Sequence, residues 1–372
     1  MASTQFLTGD PQTVKVWADS LYYDAVSDKT LVGQLISNGI LVNKEELNKG
    51  AGDQIKIDLA GRIISKGSIG MQPVTGNEVA LSFYQDTIDI NGLRIAVNIP
   101  NTGTIDAQRV KFDLPDTSYE MLRNWYSDRM TLSAMNQLAG YTATSISWDG
   151  LTYTGTDRIE LTGMQTAVAP TGTNRIIRAN GLATDQAVAA DATATFKLSL
   201  IDDAVSAANK NQPTGRYIGQ LAGGNIKYHC YVHVDQFKQI VQDTTAPQQF
   251  REIMLAKIAS GQTNAALIGQ SLEYNQTLIV ATDKIPNGVN SGTSAAEANA
   301  RRAVFTGRDA GSIAFGMGYS AGGETTPGFS FYEDILDGGA YRQITASCVH
   351  GIKKHTFNSV DNGTIVLTTY VA

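Results

Sequence analysis

The sequence predicts an α+β fold strung along one long helix. Three observations carry that expectation. Apolar residues recur at helical spacing from Pro115 to Gly140, and runs alternating in period two fill much of the remaining chain. The first 90 residues also hold apolar segments with little core of their own.

Composition sets the bounds. A chain of 372 residues predicts two or three compact units, and 42% hydrophobic residues suffice for their cores. Charged residues are 17%, below the usual level of about 25%. A surface poor in charge suits faces buried against copies of the same chain. It equally suits a secreted adhesin or a polar β-protein. The net charge of −6 and pI of 5.3 exclude bulk electrostatic gripping of nucleic acid, and no basic run is present. Two cysteines, Cys230 and Cys348, cannot make a disulfide framework, and a reducing compartment is expected. Residues 1–6 lack the pattern of a secretory signal, and no apolar run is long enough for a bilayer. The expectation is a soluble protein made in the cytoplasm.

In chain order, residues 1–49 read as an arm. Val14–Val26 has helical spacing, and Leu31–Ile36 and Gly39–Val42 are short apolar pieces split by Asn38-Gly39. Such a segment needs a surface to lie on, either its own domain or a neighbouring subunit. Gln54–Ile64 and Val79–Ile90 alternate as strands around a tip at Ser65–Asn77 that is rich in glycine. An isolated hairpin of this kind is marginal in water, so something else should cover it. Asn91-Gly92 predicts a tight turn between Ile88-Asp89-Ile90 and Leu93–Val97.

The long helix follows a polar link at Asn101–Gln108. Pro115 suits a first turn, and Asp116, Thr117 or Ser118 could cap it. Tyr119, Leu122, Tyr126, Met130, Ala134 and Leu138 form one stripe; Met121, Trp125, Leu132, Met135 and Ala139 form a second. Gly140 is a natural stop. Such a helix would be about 36 Å long. It could brace a whole subunit or serve as the core helix of an α+β enzyme.

Tyr141–Ala194 is low in charge and rich in Thr, Gly and Ala, and reads as a surface insertion. Phe196–Lys210 predicts a helix, Asn225–Val234 a strand, and Val234–Val241 and Pro247–Ala259 two more helices. Ser271–Ala281 reads as a strand, Pro286–Ala298 as a mobile loop, and Arg302–Thr306 and Ile313–Phe315 as short strands. Tyr341–Val349 and Thr364–Val371 close the chain as strands.

Several motifs tempt a chemical reading. Gly318-Tyr319-Ser320-Ala321-Gly322 fits the G-x-S-x-G elbow of serine hydrolases, followed by Asp334 or Asp337 and His350 or His355 in the right order. Gly323-Glu324-Thr325-Thr326-Pro327-Gly328 cannot promptly start the helix that the elbow needs, so a glycine-rich loop is the simpler reading. Gly316–Ala321 matches a dinucleotide fingerprint and meets the same objection. His229, Cys230 and His233 resemble metal ligands, but on a strand the two histidines would lie about 13 Å apart. Asp202-Asp203 point in different directions on a helix, and Arg301-Arg302 and Lys353-Lys354 suit salt bridges better than phosphate. No residue is therefore assigned a catalytic, cofactor-binding or metal-binding role.

Further patterns carry a resemblance. They are Leu81-Ser82-Phe83-Tyr84-Gln85-Asp86 running into Ile88–Arg94, and Arg109-Val110-Lys111-Phe112-Asp113-Leu114 ahead of the helix with Trp125. Near the end stand Gly351-Ile352-Lys353-Lys354-His355-Thr356-Phe357-Asn358 and Asp361-Asn362-Gly363-Thr364-Ile365. Over most of its length the chain resembles the major capsid protein family of N-four-like podophages and related tailed phages. That resemblance implies the Hong Kong 97-like fold. Its parts would be an N-terminal arm at 1–49, an E-loop β-hairpin at 50–90 and a peripheral domain at 91–215 with its spine helix at 115–140. An axial domain would follow at 216–341, and 342–372 would return to the peripheral domain. It implies an icosahedral head shell of hexamers and pentamers around double-stranded DNA, in the virion, assembled in the bacterial cytoplasm. It also implies scaffolding, portal and decoration partners, non-specific DNA contact, no membrane, no cofactor and no enzymatic activity. The alternative is the serine hydrolase built on Ser320.

Overall fold

The computed structural model describes residues 30–44, 52–60, 63, 66–76, 78–81, 83–111, 113–172, 174–210, 218–222, 225–242, 271–317 and 328–372. The expected helices at Val14–Val26 and Pro247–Ala259 and the Gly318–Gly322 motif lie outside the described residues.

Helix α1 (Leu31–Ser37) starts where the Thr30 hydroxyl accepts from the Gly33 N–H at 3.1 Å. It leads into strand β1 (Leu41–Lys44). Val32, Leu35, Ile40 and Leu41 are at most 1% exposed and join the core beneath the long helix. This part of the expected arm therefore lies on its own body, because its apolar side chains are buried in one cluster with those of the long helix.

Strands β2 (Gln54–Ala60) and β3 (Phe83–Asp89) pair antiparallel, from Gln54 opposite Asp89 to Ala60 opposite Phe83. Both are shorter than the alternation predicts. Strand β4 (Asn91–Pro100) does not pair with β3, so Asn91-Gly92 is not the expected turn. Instead the chain switches sheets at Ile90, and Asn91 is already opposite His350. Both residues of the dipeptide are extended and already paired with β15, so the chain passes from one sheet to the other without turning back there.

Helix α2 (Ile105–Arg109) is capped by Thr104, and helix α3 (Leu114–Leu138) is the expected long helix, 25 residues in all. Its N-cap is Asp113, not a residue beyond Pro115, because the fixed φ of Pro115 already belongs to the first turn. Thr117 and Ser118 instead donate their hydroxyls back to the Asp113 and Leu114 carbonyls at 2.8 and 2.7 Å. The first stripe is buried throughout. The second is buried from Leu132 onward; Met121 is exposed and Trp125 half-buried.

The remaining elements follow in order. Strands β5 (Ser145–Trp148) and β6 (Leu151–Thr154) form a small hairpin, and β7 (Ile176–Arg178) precedes α4 (Asp185–Ala190) and α5 (Leu198–Asn209). Next come β8 (Tyr228–His233), α6 (Val234–Gln242), β9 (Ser271–Tyr274), β10 (Thr277–Thr282), β11 (Asn287–Val289) and β12 (Ala296–Thr306). The last are β13 (Gly311–Phe315), β14 (Phe329–Leu336), β15 (Tyr341–Lys354), β16 (Thr356–Phe357), β17 (Val360–Asp361) and β18 (Thr364–Tyr370).

Two sheets organise them. The first has the order β1-β13-β15-β14, with β4 on β15, and α3 lies against it. The Tyr126 hydroxyl sits 2.9 Å from the Leu93 carbonyl and 3.0 Å from that of Ala346, tying α3 to both β4 and β15. The second sheet runs β7-β18-β12-β8-β10-β9, with β11 on β12, and α5 packs on it through Leu198, Ile201, Ala204 and Ala208. The sheets cut across the expected division of the chain. Strands β13 and β14 belong with the long helix, while β18 belongs with β8 and β12. Pro286–Ala298 is not simply a loop, since β11 pairs with β12 there.

Tyr141–Ala194 is not a surface insertion either. Strand β7 pairs in parallel with β18, and Leu161, Arg175, Ala179, Asp185 and Val188 are buried. Asp185 accepts from Arg302 at 2.7 Å, from Arg178 at 2.8 Å and from the Val289 N–H at 3.1 Å. Burial opposes its ionisation, but Arg302 and these hydrogen bonds outweigh that and hold the carboxyl below its ordinary range. Removing one partner of a buried ion pair strands the other charge. Asp185→Ala is therefore expected to cost about 3–5 kcal/mol in urea unfolding. An Asp185→Leu, Arg302→Met double variant should recover most of that loss.

Candidate assembly surface

The β2–β3 hairpin projects a stretch that the body does not cover. Ile69 is 82% exposed, Met71 104% and Val74 67%. With Ile63, Val79, Leu81 and Phe83 they make seven exposed large apolar side chains within residues 63–83. Scattered apolar residues on a surface need no explanation; this many on one excursion mark an interaction site. The hairpin base, by contrast, is anchored. Ile55 and Ile88 are buried against Ala314, with Ile57 and Ile90 beside them. The buried Asp86 carboxylate accepts from Lys353 Nζ at 2.6 Å and from the Thr356 N–H at 3.0 Å. Lys353 Nζ also donates to the Thr87 carbonyl at 2.6 Å. Gly351 lets the two parts touch, since a Cβ there would overlap the Asp89 carbonyl. Sequence reasoning assigned Asp86 and Lys353 no role. The available signal was an acid on the inward face of β3, in step with Ile88.

The chemical candidates do not converge. Strand β8 forms as predicted, so His229 and His233 stand apart along it. His229 Nδ1 lies 3.4 Å from the Tyr231 hydroxyl, and His233 Nδ1 lies 3.0 Å from Asp235. Among the described residues no group of three His, Cys, Asp or Glu side chains could hold a metal ion. Cys230 and Cys348 are free, buried thiols whose pKa values burial raises. Asp334 is opposite Gln343, seven positions along β15 from His350, or about 23 Å. His355 is occupied by the Ser312 hydroxyl at 2.6 Å and the Asp309 carbonyl at 3.2 Å. Gly316 has a packing role, because a Cβ there would press on Ile90 and Val349.

The basic pairs are spent within the fold. Arg301 donates to the Ile285 carbonyl, Arg302 to Asp185, Lys353 to Asp86, and Lys354 to Asp361 at 2.9 Å. Asp202 accepts from the Tyr274 hydroxyl and from Asn275, while Asp203 is exposed. Among the described residues no helix is long and apolar enough to cross a membrane.

An anchored hairpin with a bare apolar end, on a body whose candidate chemical groups are spread apart and engaged within the fold, suits a protein that works through its surface. The chain belongs to the phage capsid protein family, which it matches over residues 5–372. It is similar to the capsid of Ralstonia phage GP4, at 22% identity and a TM-score of 0.69 over 100% of this chain and 99% of that one. It is also similar to the cyanophage Pam1 capsid, at 16% identity and a TM-score of 0.65 over 100% and 95%. The head of Helicobacter pylori bacteriophage KHP40 aligns at 11% identity and a TM-score of 0.59 over 99% and 94%. No curated protein matches the chain. The fold is the Hong Kong 97-like capsid fold, and the chain is a major capsid protein that associates with itself to form the phage head shell. The hydrolase alternative finds no support in family or fold.

Acid should weaken the subunit. Burial depresses His350 to about 4, so the fold favours its neutral ring. That contribution is complete above an unfolded-state pKa of about 6.5 and is lost as the pH falls toward 4. The effect is about 3 kcal/mol, and His229, His233 and His355 shift in the same direction. Urea titrations from pH 7 to 4 should show this fall, and it should be shallower in His350→Leu.

Proposed function

We propose that this major capsid protein closes an icosahedral shell by laying the hairpin tip over a neighbouring subunit. The exposed apolar run from Ile63 to Phe83 carries the proposal. Leaving those side chains in water is unfavourable, and a second copy offers cover. Each contact is modest, but every subunit makes several and closure lets them cooperate.

In this reading α3 with the β1-β13-β15-β14 sheet and β4 is the peripheral domain, and residues 50–90 are the E-loop. The seven-stranded sheet with α5 and α6 is the axial domain, meeting its copies around the axes of hexamers and pentamers. The shell encloses double-stranded DNA and touches its phosphates without reading bases. Portal, scaffolding and decoration proteins are its partners, and its kind is that of the N-four-like podophage capsid proteins. It assembles in the bacterial cytoplasm, makes and breaks no covalent bond, and needs no metal or cofactor.

Deleting residues 65–77 tests the reading. Melting temperature and circular dichroism should stay near the parent values, while shell yield by negative-stain microscopy falls at least tenfold. Shells forming as well without the tip would refute the assignment. Ser320 should also fail to react with a fluorophosphonate probe under conditions that label a serine hydrolase fully.

A further inference from the structure

On its β3 side the hairpin meets the first sheet at Ile90. On one strand the last hairpin bond is Ile90 N–H to the Asp53 carbonyl at 3.0 Å, and the next residue, Asn91, pairs with β15. A two-stranded unit leaving a sheet at such a junction can pivot about Ile90. The directional contacts that oppose pivoting gather around Asp86. Asp86 lies three positions up the hairpin from Asp89, and both of its oxygens are used. Oδ1 meets Lys353 Nζ at 2.6 Å and the Thr87 N–H at 3.0 Å; Oδ2 takes the Thr356 N–H at 3.0 Å. Lys353 closes the loop by donating to the Thr87 carbonyl. Apolar support, centred on Ile55, Ile88 and Ala314, holds the base as well but is not directional.

We infer that Asp86, Lys353 and the Thr356 N–H form a clasp that sets the angle at which the hairpin leaves the body. Without the clasp the hairpin swings about Ile90. The two sides come from residues 267 positions apart, so only the folded body brings them together. One carboxylate receives a flexible ammonium and a rigid backbone N–H in roughly opposed roles. The N–H fixes position, and the ammonium supplies charge and reaches β3 twice. Lys353 is partly solvent-accessible, with 17% of its side chain exposed. It can therefore find water when Asp86 is removed, which makes the clasp separable from the folding of the core. The inference goes beyond the proposed shell role and depends on it only for its consequence, the aiming of the tip.

The test reads the angle itself. Spin labels at Phe83→Cys and Asp203→Cys, both exposed positions, report hairpin-to-body distance in the full chain; Cys230 and Cys348 are buried. Labelled chains diluted with unlabelled copies give the intrachain distance alone. In Asp86→Ala and in Lys353→Met the distance distribution should widen at least twofold. Amide exchange in β2 and β3 should rise tenfold, with β8, β10 and β12 unchanged. Arg342→Met breaks the Arg342–Glu333 pair elsewhere on β15 and should leave the width as it was. An unchanged width in both clasp variants overturns the inference. So does equal widening in Arg342→Met, which would mean general loosening of β15. Shell yield is scored separately: shells lost with an unchanged distance would speak for the shell role and against the clasp.

Discussion

The backbone of β15 has to be satisfied along both edges, and the first sheet is arranged around that requirement. Its residues Tyr341–His350 face β4 on one side. On the other side β14 serves Tyr341–Cys348 and β13 serves His350–Lys354. Where those neighbours change over, Val349 bonds to Gly328 and Gly316. Beyond the reach of β4, the Ile352 N–H goes to Gly163. Buried amides left unpaired cost as much as a lost hydrogen bond, so these partners are obligatory. The long helix then has one place to lie, along the apolar face that β15 shares with β4, and the Tyr126 hydroxyl marks that seat.

Buried charge does for the stretch after the helix what apolar periodicity does elsewhere. Asp185 binds Arg178 and Arg302, and Arg302 also donates to the Gly140 carbonyl at 2.8 Å. Asp361 takes Lys354 and the Thr171 hydroxyl, while its carbonyl accepts from Arg175 at 2.9 Å. These contacts join the stretch to β12, β15 and β17. Such networks add less to stability than well-packed hydrocarbon would, but a mispaired arrangement leaves a charge stranded, so alternatives are penalised.

The hairpin shows the opposite economy. Its base is fastened by a carboxylate, an ammonium and a close glycine contact, and its end keeps Met71 and Ile69 in water. A rigid root with an uncovered tip suits a subunit whose final packing is completed by other copies. Aim comes from the first part and adhesion from the second.

Much of this was legible in the amino-acid order because periodicity is local. The spacing of Tyr119, Leu122, Tyr126 and Met130 specified the helix, and alternation specified the strands at 54, 228, 341 and 364. The hairpin was legible for the same reason, with a glycine-rich tip; the exposure of Ile69, Met71 and Val74 on it emerged only from the structure. Pairing was not, because Asn91-Gly92 looks alike whether the chain turns back or changes sheets. Nor were the roles of Asp86 and Asp185, whose partners lie 267 and 117 positions away. Local sequence determined which segments are helical, extended or apolar. Tertiary structure alone decided which strands are neighbours and which charges are buried, since those depend on contacts between residues far apart along the chain.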